Sequence, residues 1–457
     1  MLSKNTELDS TLMTKKITFS LLAIIISGCV LISTAMIVGA LYLVKAQKNY
    51  IPPTADPVDL LSDEEKMDLI QEQVSEIRGL NLSLALDREM MSTSELEYEV
   101  SNEFFKDYSE EDVQQDVRLL SVLGLLEPDF DLLQFYKDLY SEQVAGYYDS
   151  ETKEMKVIAD GGFRGLERMT YAHEFTHALQ DQNYDLENGL MLNDETCERD
   201  SEYCAAVTAL IEGDATLTEQ YWFLQHSTNR DKSDVSDFQF TFESPIFDSA
   251  PAFMRLDFLF PYQEGMNFVN ALYADQKWDS VDAAYQELPV STEQILHPEK
   301  YPYEKPIRVD MRDLSAGLGP EWVEKERNQM GEWYTYLILS QGYDPAFRLS
   351  DISAFAASEG WGGDLYLYYE NQDTSSYYLV WLSAWDTPYD AQEFFSSSRE
   401  YGILRWGETL KESENSLVWQ SGDGFYCEIE MDGNQTLWVI SNDAQAAQRV
   451  DTKIKNY

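Results

Sequence analysis

The chain has 457 residues, with 82 Asp and Glu against 33 Lys and Arg for a formal charge of −49, and only four His and four Cys. That length supports two or three domains with sizeable cores, and 44% hydrophobic with 13% aromatic residues is too apolar for a disordered acidic chain. A surface this negative repels phosphate backbones, because nucleic-acid affinity rests on Lys and Arg displacing condensed counterions, so no nucleic-acid partner is expected.

Residues 17–44 carry no charge and are flanked by Lys15 and Lys16 before and Lys45 and Lys48 after. About 20 apolar residues cross a bilayer, so 17–44 is expected to be a single transmembrane helix. The competing reading is a lipoprotein signal, with Ile26-Ser27-Gly28-Cys29 as its lipobox; against it, the residues following Cys29 stay apolar up to Val44. The lysines before the span favour a short cytoplasmic tail over 1–16 and a cell-membrane protein whose remainder is extracytoplasmic. Residues 1–16 carry a net +1, which leaves about −50 on the rest, a field that favours basic or neutral partners. The segment 45–59, with Pro52, Pro53 and Pro57, reads as an extended linker.

From Leu60 the pattern turns helical, with Ser62 as a cap and acids in the first turn. Further helices are expected over about 129–144, 166–182, 203–223, 263–275 and 322–341. The short alternating run 154–159 (EMKVIA) reads as a strand, and HSTNRDKSDVSD at 226–237 as a polar loop. Beyond Ser350, alternating aromatic and aliphatic residues predict strands, with an amphipathic stretch at 389–401 and a hairpin at Asp432-Gly433. Gly360-Trp361-Gly362-Gly363-Asp364 lacks the Lys and Ser/Thr of a phosphate loop and reads as a tight turn with a buried Trp. The expected fold class is therefore α+β, with a mostly helical domain over 60–349 and a smaller α+β domain over 350–457.

Four cysteines say little alone. Cys197 and Cys204 lie in a polar segment and either form a local disulfide outside the cytosol or remain thiols; Cys427 reads as a small buried hydrophobe.

The strongest chemical signal is His173-Glu174-Phe175-Thr176-His177. Two histidines four apart share one helical face and reach one ion, and Glu174 beside the first is placed to take a proton from a water. A catalytic zinc site needs three protein ligands and an open position. Glu212, an isolated acid in an apolar helical turn, is the best third ligand, because a buried carboxylate needs a cation; Asp185, Glu187, Asp194, Glu195 and Glu198 are alternatives in polar surroundings. Asp181, four after His177, and Asp214, two after Glu212, are candidates to accept a proton from a ligand imidazole. His297 is the candidate donor to the tetrahedral oxyanion, with Tyr301 and Tyr147 as further options. His226, at a helix end, reads as a partner of terminal carbonyls.

HEFTHALQD resembles the active-site helix of the gluzincin metallopeptidases, and LIEGDA the segment in which their third-ligand Glu precedes Gly. AGYYDSETKEMKVI, HEFTHALQDQNYDL, ALIEGDATL, STEQILHPEKY and GWGGD, in this order over about 130–400, resemble a largely uncharacterised prokaryotic family of membrane-attached zinc metallopeptidases. The resemblance implies Zn2+ held by His173, His177 and Glu212, with Glu174 as general base and a peptide or protein as substrate. It also implies a zincin-like fold in which the EMKVIA strand is the sheet edge that aligns substrate. Glu212 follows His177 by 35 residues, a longer gap than in thermolysin, and the two cysteines fall in the insert. The other reading is a surface binding or scaffold protein with a structural zinc closed by a fourth protein ligand.

Overall fold

The computed structural model describes residues 56–106 and 108–454. The expected tail, span, Cys29 and most of the linker lie outside the described residues. Among the described residues no helix is long and apolar enough to cross a membrane. The linker's last residues do not extend: Pro57–Leu60 makes a 3-10 turn capped by Asp56.

Helix α1 (Asp63–Arg78) starts where its capping box predicts, with Ser62 and Glu65 satisfying each other's backbone N–H groups, and ends at Gly79 in the left-handed region. Its Met67, Ile70 and Val74 pack on α4 and α5 (below). Strand β1 (Asp87–Met91) and the short helix Thr93–Glu99 follow, then α2 (Glu110–Leu123) and α3 (Leu132–Gln143). β2 (Gly146–Asp149) and β3 (Glu154–Ile158) complete a three-stranded sheet in the order β1-β3-β2. β3 is paired on both sides, parallel to β1 and antiparallel to β2, so the EMKVIA run is the central strand, not the expected edge. Its burial alternates, and neither flank is left to accept a peptide.

Helices α4 (Gly165–Tyr184) and α5 (Ser201–His226) enclose the two metal-binding segments, and α6 (Ala252–Gln276) runs alongside α5. The contact is close because Ala209, Gly213 and Gly265 carry almost no side chain: a Cβ on Gly213 would strike the Gly265 carbonyl, and one on Gly265 the Ala209 carbonyl. The glycine after Glu212 is thus a packing residue. The predicted polar loop at 226–237 is largely a helix, Asn229–Thr241, started by a capping box between Thr228 and Asp231.

The expected helix at 322–341 divides into β4 (Trp322–Asn328) and α7 (Gly331–Ser340). β4 joins β5 (Trp361–Asn371), β6 (Tyr377–Trp385), β7 (Lys411–Ser413), β8 (Ser416–Gln420), β9 (Tyr426–Asp432) and β10 (Gln435–Ser441) in a seven-stranded sheet ordered β4-β5-β6-β10-β9-β8-β7. Its pairings are antiparallel throughout. The Asp432-Gly433 hairpin forms between β9 and β10. GWGGD is not a free turn: Trp361 is fully buried at the start of β5, and the ladder shifts register between Trp361 and Gly363. Strand periodicity places Tyr366, Tyr368, Trp381 and Trp438 in the large core and Leu367, Tyr369, Val380 and Val439 on the other face. Helices α8 (Pro388–Trp406) and α9 (Ala444–Ile454) pack on the sheet.

Candidate metal centre

His173, Glu174 and His177 are fully buried on α4, and Glu212 on α5 is 1% exposed. The His173 and His177 Nε2 atoms stand 3.1 Å apart, and Glu212 Oε2 lies 3.2 Å from the first and 3.4 Å from the second. Three ligand atoms on a tetrahedral zinc at 2.0–2.2 Å stand about 3.3–3.5 Å apart, so this triangle is of the right size. Among the described residues, these three side chains form the one buried group able to hold an ion here, and none of the five alternative carboxylates joins it. The candidate grouping of Glu293, Glu304 and Asp386 already surrounds the Lys300 ammonium, at 2.6 to 2.9 Å from each carboxylate.

The far nitrogens of both imidazoles are held. His173 Nδ1 lies 3.1 Å from Glu219 Oε2, and His177 Nδ1 lies 2.8 Å from Gln180 Oε1. Protons at both Nδ1 positions leave both Nε2 lone pairs facing the Glu212 carboxylate, a set of three converging acceptors that calls for a cation. Burial disfavours charge on His173, yet hydrogen bonds to Glu212 and Glu219 raise its pKa well above the ordinary imidazole value. Burial would likewise raise Glu212, but His177 and His173 hold it down at about 2. Glu174 is different: neither carboxylate oxygen has a hydrogen-bond partner, and burial pushes it up to about 7 against the pull of the two histidines. β2 lies directly on it, since a Cβ on Gly146 would sit 3.4 Å from Glu174 Cγ and collide with Thr170.

The supporting residues differ from those expected. Asp181 does not reach an imidazole; it accepts from Tyr148 Oη at 2.6 Å and Lys153 Nζ at 2.7 Å, pinning the β2–β3 hairpin to the end of α4. The i+3 residue Gln180 takes the place expected of it. Asp214 is one step removed, accepting from Gln180 Nε2 at 3.1 Å, Tyr285 Oη at 2.8 Å and the buried Arg78 Nε at 2.7 Å. Glu219, missed in the sequence, lies seven residues and so two turns after Glu212, on the same face of α5.

None of the predicted oxyanion donors is directed at the three ligands. His297 Nε2 bonds Glu332 Oε1 at 2.9 Å, with Glu332 buried at the start of α7. Tyr301 donates to the Glu287 carbonyl, and Tyr147 to Glu99, which also pairs with Lys156 at 2.8 Å. The phenol that does lie beside His173 is Tyr262 on α6, with ring centroids 6.3 Å apart. His226 borders an open cavity with Glu76, Tyr221 and Trp278 at the end of α5. Cys197 and Cys204 are disulfide-bonded, tying the short helix Asp194–Cys197 to the first turn of α5, and Cys427 is buried with its sulfur 3.2 Å from Trp438 Nε1.

Residues 321–451 match a family described as Domain of unknown function (DUF8575). The match opens at β4 and spans the whole seven-stranded sheet, less than a third of the chain, and the metal centre lies outside it. No curated protein and no solved structure matches the chain.

Proposed function

We propose that the chain is a zinc-dependent peptidase of the gluzincin type, anchored in the cell membrane by residues 17–44 with the rest extracytoplasmic. The observation that carries this reading is the buried triangle of His173 Nε2, His177 Nε2 and Glu212 Oε2 beside a carboxylate, Glu174, that nothing else binds. Zinc held there supplies a Lewis acid and lowers the pKa of a bound water to about 7. Glu219 and Gln180 fix both imidazole rings and their tautomers. Glu174, poised near neutrality, takes the proton of the attacking water and returns it to the leaving amine. Tyr262 replaces His297 as the candidate donor to the developing oxyanion. Because the ligands are buried, an extended substrate needs β2 and the Glu99 contacts beside it to move aside. The disulfide suits an oxidising compartment.

A structural zinc in a scaffold protein would need a fourth protein ligand, and among the described residues only three converge. The test is Glu174→Gln in the full-length protein. It is expected to keep one zinc per chain and to lose peptide hydrolysis; undiminished cleavage by that variant would remove the mechanism.

A further inference from the structure

A second cavity opens between α2, α3, α6 and α7. Its wall is aromatic and aliphatic, with Tyr136, Tyr140, Phe258 and Tyr334 among its side chains, yet two carboxylates, Asp116 and Asp257, line it as well. Among the described residues no Lys or Arg lines it. Asp257 is bonded by two neutral donors, Trp333 Nε1 at 2.9 Å and Tyr334 Oη at 2.7 Å, and Asp116 by Tyr108 Oη at 2.5 Å. Burial raises Asp257 to about 6, and burial together with the charges of Asp116 and Asp257 holds Tyr136 well above its ordinary value. Two acids set in an apolar cavity without a cation are costly to ionise, and aromatic faces next to them add to the attraction for a positive head on an apolar stem. Two carboxylates without a third converging oxygen make a poor metal site.

The cavity adjoins the metal centre. Phe258 and Tyr262 lie four apart on α6 and so on one face, about 6 Å along the axis, and Tyr262 is the ring beside His173. On the other wall, Tyr140 in α3 leads within six residues to Gly146, which rests on Glu174. We propose that this cavity is the specificity pocket of the peptidase and takes a lysine or arginine side chain of the substrate, its head between Asp116 and Asp257 and its stem along Tyr136, Tyr140 and Phe258. The proposal rests on the peptidase reading and names its substrate class. The charge of −49 assists by drawing basic chains toward the site.

The full-length, zinc-loaded protein is offered peptides of one sequence in which each position around the cleaved bond is in turn norleucine or lysine. At one position lysine is expected to raise kcat/KM at least about tenfold over norleucine, and Asp257→Asn to bring that ratio to about one without changing zinc content. A parallel arm measures binding of the same labelled peptides to the Glu174→Gln protein by fluorescence polarisation. The lysyl peptide is expected to bind at least about tenfold more tightly, and a second change, Asp257→Asn, to erase the difference. Asp116→Asn gives the same readout where Asp257→Asn does not fold. If no peptide is cleaved, the binding arm alone decides the pocket and the peptidase reading falls separately. Equal affinity for lysyl and norleucyl peptides at every position, or a preference that survives both substitutions, overturns the proposal.

Discussion

The metal centre and the seven-stranded sheet both bury acids, but they treat them in opposite ways. In the sheet, Asp364 is 3% exposed and its carboxylate accepts from Met330 N at 2.9 Å, Gly331 N at 3.3 Å and Trp381 Nε1 at 2.5 Å. Glu428 there accepts from Tyr426 Oη at 2.7 Å. Those acids are used up as acceptors, and Asp364 serves as the clamp between β5 and the start of α7. At the metal centre, Glu174 is equally buried and wholly unpartnered, while Glu212 faces two nitrogens that can both present lone pairs. Burial alone therefore does not mark a reactive acid. What separates the two regions is whether the neighbouring groups donate protons or compete for a cation.

Substitutions that swap these roles test the distinction. The largest effect is expected at the ligands: His173→Ala removes one corner of the triangle and should weaken zinc binding by roughly a thousandfold, read by competition with a chromogenic chelator, while the sheet keeps its near-ultraviolet signal. Asp364→Ala is the counterpart in the sheet. It strands two backbone N–H groups and an indole N–H, so it should cost about 2–4 kcal/mol in denaturant unfolding with zinc affinity per folded molecule unchanged. Gln180→Ala comes next. By freeing the His177 ring it should lower zinc affinity about 10–100-fold with little loss of stability. The smallest effect is expected from Asp181→Asn, because its partners are Tyr148 and Lys153 and not a ligand; a change in zinc affinity beyond about threefold there would blur the line drawn between the supporting residues.

The sequence was informative where the chemistry is local. His173, Glu174 and His177 follow from i,i+4 spacing, and Glu212 from being the lone acid in an apolar helical turn. Glu219 was open to the same arithmetic, since seven residues make two turns, yet nothing about an acid at that position separates it from a solvated one until α5 is packed. Gln180 carried no charge to draw notice. His297 was misjudged because its partner, Glu332, lies 35 residues away on another helix. The run WVEKERN at 322–328 fits a helix or a strand equally by pattern, and its pairing with β5, some 40 residues on, decides the matter. The same holds for EMKVI, whose place in the middle of its sheet depends on β1, contributed from residues 87–91.

Asn328 closes β4 at the place where α5 begins. Its side chain accepts from Ser201 N and Oγ at 3.0 Å and donates to the Glu198 carbonyl at 3.3 Å, so the helix that carries Glu212 is moored to the sheet beside its disulfide. A ribosome delivers His173, His177 and Glu212 well before it delivers Asn328 and the strands that hold it. During synthesis the nascent chain therefore possesses every metal ligand but not the mooring of the helix that brings the third one in, and the centre gains its final frame only as the last quarter of the polypeptide is made.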